Sequence, residues 1–163
     1  MLTVEERGQL AEFAIKTSRG RSPVCAATAS ESFEATAELI DRFDKAGADS
    51  ILVVTPFYSA PPQRGVVSYF TKLGALTKRP FLIYHIPARA GFALTLDTLA
   101  AIKDHVPHFF GLKNTDSDVG LVTGALARLG RDFRIFAGLE LPTLPMLRIL
   151  ATITATSVVG GVV

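Results

Sequence analysis

The chain has no tryptophan, a single cysteine, two methionines and three histidines among 163 residues. One cysteine, Cys25, excludes an internal disulfide framework and fits a reducing cytosol, so a cytoplasmic location is expected. Charge of one sign is also scarce. Lys and Arg number 17 against 15 Asp and Glu, a formal net charge of +2, which points neither to nucleic acid nor to a lipid surface. No apolar stretch approaches the roughly 18 residues that a membrane-spanning helix needs, and the first residues are charged rather than leader-like. There is no low-complexity tract, no long linker and no cluster of His, Cys, Asp or Glu with metal-ligand spacing. Neither a G-x-G-x-x-G run nor a P-loop follows any apolar segment, which removes support for a nucleotide-binding sheet. The length suits one domain with a substantial core.

What is present is a rhythm. Apolar, β-branched or aromatic runs occur at Pro23–Ala27, Ser50–Thr55, Pro80–Tyr84, His108–Lys113, Phe133–Gly138 and Ala155–Val159. Each is nearly continuously apolar, as expected of parallel strands covered on both faces. Between them lie helical stripes. Thr3 and Glu6 have capping-box spacing ahead of Leu10 and Phe13. Ser30 is placed to cap a helix with Phe33, Ala37, Ile40 and Phe43 inward, ending near Gly47. Val66, Phe70 and Leu73 form the next stripe. Leu96, Leu99 and Ile102 follow with Thr95 as cap, and Val119, Val122, Leu126 and Leu129 lie between Asp118 and Gly130. Alternating strands and helices predict an α/β fold with a parallel sheet, either a (β/α)8 barrel or an open doubly wound sheet. Six strands are too few for a full barrel, which usually takes about 250 residues.

In parallel α/β folds the chemistry gathers at the carboxyl ends of the strands. Lys113 stands at such an end. A lysine closing a buried strand must be desolvated or paired, conditions that free its amine to attack a carbonyl. The alternative is a lysine that snorkels from the strand end to water. Tyr84 ends the third run, followed by His85, Ile86, Pro87 and Arg89. Thr55, Pro56, Phe57 and Tyr58 follow the second, and Gly138, Leu139 and Glu140 the fifth. A strand-end tyrosine either anchors its loop or moves protons, because a phenol both donates and accepts. His105 sits at a helix end and His108 opens a strand. For His85 a solvated or core-satisfied role is expected ahead of contact with a substrate tail.

The runs LVVTPFYSAPPQ, LIYHIPARAG and GLKNTDSD, in this order and spacing, resemble those of the dihydrodipicolinate synthase and N-acetylneuraminate lyase family of class I, pyruvate-handling aldolases. The resemblance extends to LTVEER at the start and covers essentially the whole chain. It implies a partial TIM (β/α)8 barrel, with the six runs as family strands three to eight. It also implies that residues 1–163 are a single incomplete barrel domain without the first two strands and the closing helices. A shortened gene model, a degenerate copy that is inactive or serves only as an interaction module, or a barrel completed by oligomerisation each fit that expectation, the first two better than the third.

The same resemblance implies roles residue by residue. Lys113 matches the Schiff-base lysine and Tyr84 the tyrosine that relays protons. Arg89 matches the arginine that receives the carboxylate of a second substrate, which favours condensation of pyruvate with an aldehyde over cleavage of a 2-keto-3-deoxy sugar acid. Tyr58 matches a catalytic tyrosine that reaches across a tight dimer interface into the neighbouring site, so a homo-oligomer, dimer or tetramer, on which activity depends is implied. Gly138 and Thr156 fall where the pyruvate pocket is lined. The family's G-x-T-G-E loop, which holds the carboxylate of pyruvate, has no counterpart in this chain. No cofactor or metal is expected, since the imine itself supplies the electrophile.

Overall fold

The computed structural model describes residues 2–130, 132–140 and 143. Among them, helices and strands alternate in the order α1 (Val4–Ser18), β1 (Cys25–Thr28), α2 (Phe33–Ala46), β2 (Ser50–Val54), α3 (Gln63–Gly74) and β3 (Phe81–His85). Then come a single turn α4 (Pro87–Ala90), α5 (Leu96–His105), β4 (Phe109–Asn114), α6 (Val119–Leu129) and β5 (Arg134–Ala137). The sixth expected strand, Ala155–Val159, lies outside the described residues.

The five strands form one parallel sheet in the order β1-β2-β3-β4-β5. Strand order follows chain order with no reversal. An open doubly wound sheet reverses at a switch point, whereas a barrel steps always to the next neighbour, so the order selects the barrel. The fold is a partial (β/α)8 barrel.

Local chemistry explains the helix boundaries. Thr3 and Glu6 make the reciprocal capping box expected of them. Thr95 and Asp118 cap α5 and α6, and Gly47 ends α2 with φ of 87°, a left-handed turn that glycine enters without strain. The expectation for Ser30 is corrected: Ser32 is the N-cap of α2, its hydroxyl accepting from the Ala35 amide, while Ser30 accepts from the Ser32 amide. Two serines stand two apart, and the one three residues before the free amide has the reach. Leu10 and Phe13 also differ from a simple inward stripe. They are exposed, and α1 packs through Val4, Gly8, Ala11 and Ile15.

The core lies between the sheet and its helices. Ile51, Val53, Phe81, Ile83, Phe109, Leu112 and Ile135 point from the sheet into a layer with Leu39, Ile40, Phe43, Val66, Phe70, Leu73, Leu99, Ile102 and Val122. The other face carries the residues of alternate register. One row runs Ala27, Leu52, Leu82, Gly111 and Arg134, and the next Val54, Tyr84, Lys113 and Phe136. That face is the inside of the barrel. Burial on both faces holds for β2 but not for β1, which alternates exposed and buried, because no described element covers the inner side of this edge strand.

Candidate active site

Strand register brings the candidate lysine and tyrosine together. Tyr84 and Lys113 are ladder partners at the carboxyl ends of β3 and β4, so their side chains leave the sheet on the same inner face. Lys113 Nζ stands 3.8 Å from the centroid of the Tyr84 ring. Both residues are half-buried. An ammonium over a phenol ring is attracted by the negative face of the π system, which favours the pair as it stands. Val54 and Phe136 extend the row on either side, and Phe110 packs edge-on to Phe136 at 6.5 Å.

A bulge prepares this arrangement. Phe81 pairs with Phe109 but Leu82 pairs with Gly111, so Phe110 is an extra residue in β4. Gly111 fits because a Cβ there would lie 2.8 Å from the Arg134 carbonyl oxygen. The extra residue turns the end of β4 so that Lys113, not its neighbour, stands beside Tyr84.

Gly138 follows β5 at the same mouth, its amide donating to the Asn114 carbonyl at 2.8 Å. A Cβ on Gly138 would sit 2.0 Å from Thr115 Oγ1, so a side chain there would force the Thr115 hydroxyl to move. Thr115 lies two residues beyond Lys113 on the same face, and its buried hydroxyl has no partner among the described residues. Composition gives no hint of Thr115; only the closeness of Gly138 exposes it.

Arg89 and Tyr58 stand further out. Arg89 lies in α4, exposed, on the segment that follows Tyr84. Tyr58 is 94% exposed with φ of 70°, at the centre of a tight turn closed by the Ser59 amide donating to the Phe57 carbonyl at 2.9 Å. A left-handed backbone is costly for an aromatic residue, and the turn presents the ring to the outside. The structure thus sets Lys113, Tyr84 and Gly138 at adjoining strand ends, with Arg89 exposed in the turn α4 and Tyr58 exposed in the turn after β2. Thr156 lies outside the described residues.

Of the roles expected for His85 the core-satisfied one holds, rather than a solvated place or one in the mouth. It is fully buried on the helix-facing side, with Nδ1 2.8 Å from Asn114 Oδ1. Gln63, another residue without a signature, clasps the segment after α4 by donating to the Ala93 carbonyl at 2.8 Å. Among the described residues there is no group of three or more His, Cys, Asp or Glu able to hold a metal, and no helix is long and apolar enough to cross a membrane.

Comparison with known proteins identifies the family and the fold. The sequence matches the dihydrodipicolinate synthetase family over residues 1–162. It is 36% identical over 158 residues to a 4-hydroxy-tetrahydrodipicolinate synthase of Thermus thermophilus, a match covering 95% of this chain and 53% of that relative. The crystal structure of dihydrodipicolinate synthase from Aquifex aeolicus superposes with a TM-score of 0.90 at 29% identity, over 96% of this chain and 53% of that one. The chloride-inhibited dihydrodipicolinate synthase from Acinetobacter baumannii, complexed with pyruvate, gives a TM-score of 0.87 at 25% identity, over 96% and 54%. The chain spans about half the length of the relatives it matches.

Proposed function

Since the chain belongs to the dihydrodipicolinate synthetase family, we propose that it carries the imine-forming centre of a pyruvate-dependent lyase that condenses pyruvate with an aldehyde. The observation that carries this reading is the pairing of Lys113 with Tyr84, Nζ 3.8 Å from the ring centroid, on the inner face of the sheet.

The lysine amine attacks the ketone carbon of pyruvate and forms a carbinolamine. Loss of water leaves a protonated imine, which withdraws electrons from the adjacent methyl carbon. Removal of a proton from that carbon gives an enamine, whose carbon adds to the aldehyde. Hydrolysis then frees Lys113. Tyr84, half-buried against the amine, is the group that gives and takes these protons.

Gly138 lines the place of the keto acid, and the same role is proposed for Thr156, which is outside the described residues. Arg89, exposed on the loop after Tyr84, receives the carboxylate of the aldehyde-bearing substrate, which a guanidinium binds through two parallel hydrogen bonds. Tyr58 is the contact to a second copy, in keeping with its exposure and left-handed backbone. In this reading residues 1–163 form one incomplete barrel unit, working in the cytoplasm as part of a homo-oligomer and without a cofactor.

Borohydride reduction in the presence of pyruvate tests the proposal. The expected result is a covalent increase in intact mass, mapped by peptide analysis to Lys113 and lost in Lys113→Ala. An unchanged mass for the wild-type chain overturns it.

A further inference from the structure

Directly behind the reaction centre, on the helix-facing side of the sheet, runs a chain of hydrogen bonds that the chemistry above leaves unused. His85 and Asn114 follow Tyr84 and Lys113 by one residue and pair across the same ladder. Their relative exposures are 0% and 1%. Donor and acceptor roles along the chain follow from its first member. The Leu94 backbone N–H can only donate, and it lies 3.2 Å from His85 Nε2, which must therefore accept. The ring proton is then on Nδ1, which donates to Asn114 Oδ1 at 2.8 Å. With its oxygen so engaged, Asn114 turns its amide nitrogen to the Asp116 carbonyl at 3.1 Å.

Each end of the chain lies in a different loop. Leu94 closes the segment that holds Arg89, and Asp116 lies in the turn that follows Lys113. We propose that His85 and Asn114 are positioning residues, a directional relay that fixes the Arg89 segment and the turn after Lys113 against the strand ends bearing Tyr84 and Lys113. The proposal deepens, and rests on, the reading of Lys113 and Arg89 given above. Burial makes the relay interdependent, because removing one member leaves the others desolvated and unpaired. Gln63 holds the neighbouring Ala93 carbonyl independently, so loss of the relay loosens the segment at Leu94 without releasing it altogether.

Two substitutions divide the relay. In His85→Asn the side-chain amide nitrogen reaches the place of Nδ1, keeping Asn114 but losing Leu94. In His85→Gln the longer side chain reaches the place of Nε2, keeping Leu94 but losing Asn114. Hydrogen exchange of the Leu94 amide is expected to quicken about tenfold in His85→Asn relative to wild type, and to return towards the wild-type rate in His85→Gln. The apparent KM for a carboxylate-bearing aldehyde is expected to rise more in His85→Asn than in His85→Gln. A long-range proton–nitrogen spectrum of the wild-type chain needs no variant to fold, and should show His85 protonated on Nδ1 and bare on Nε2. A proton on Nε2, or equal Leu94 exchange in all three proteins, overturns the relay. A wild-type chain that shows this spectrum and exchange pattern but traps no pyruvate overturns instead the reading of Lys113.

Discussion

Tyr84 does two separable things for Lys113, one through its ring and one through its hydroxyl. The ring face holds the amine at 3.8 Å, and phenylalanine can still do that. The phenol is the proposed proton relay, and only tyrosine supplies it. Tyr84→Phe is therefore expected to preserve the fold and slow borohydride trapping of pyruvate by about 10²-fold, the usual scale of losing one positioned acid–base group. Trapping rates and melting curves on the same preparations check both halves. That Lys113 and Tyr84 close adjacent apolar runs is readable from their order in the chain. That their side chains touch is not, because contact depends on an inter-strand register with no local signature. Thr115 shows the same limit, since a threonine two residues past a lysine has no meaning until Gly138 is seen against its hydroxyl.

Caps and stripes carried most of the boundaries of the helices. Thr3, Thr95 and Asp118 cap as their spacing implies, whereas Ser32 displaces Ser30 because the choice turns on one amide's position. The bulge at Phe110 and the single turn α4 left no such trace. A bulge is decided by how two strands meet, and a four-residue turn lacks a period to read. Two glycines probe how tightly these elements meet. In Gly111→Ala the new methyl lies 2.8 Å from the Arg134 carbonyl oxygen, which is backbone in the adjacent strand. In Gly74→Ala it lies 2.7 and 2.8 Å from the two methyls of Val106. Each is expected to cost about 1–3 kcal/mol as overpacking, measured by urea unfolding. Adding Val106→Ala should recover much of the Gly74→Ala loss. No side-chain truncation should recover Gly111→Ala, because only backbone movement relieves it.

Acid sensitivity belongs to the assembled domain, since it depends on ties between distant segments. Asp44 in α2 pairs with Arg79 ahead of β3, Oδ1 to Nε at 2.7 Å, and accepts from the Thr77 hydroxyl at 2.9 Å. The Arg79 hydrogen bond, aided by Thr77, holds the Asp44 carboxyl below its ordinary range against the opposing effect of burial. The unfolded chain thus takes up this proton first as pH falls. The pair's contribution is complete above about pH 4 to 5 and is lost as pH drops towards the lowered folded value. Both side chains are about a third exposed, at 39% and 32%, so screening keeps the contribution modest. Asp44→Asn is expected to lower the melting temperature at neutral pH, with the gap from wild type closing below about pH 4. Equal gaps at pH 7 and pH 3.5 would rule the linkage out.

The order of apolar runs, their helical spacers and the strand-end motifs settled the class of fold and the family in advance, because periodicity and motif spacing are local properties that survive in one dimension. Tertiary structure alone decided which sheet face is helix-covered, which side chains share the mouth, and that His85 serves the side behind it. Those outcomes come from register, where a shift of one residue sends a side chain to the opposite face of the sheet, and from packing between segments far apart in the chain.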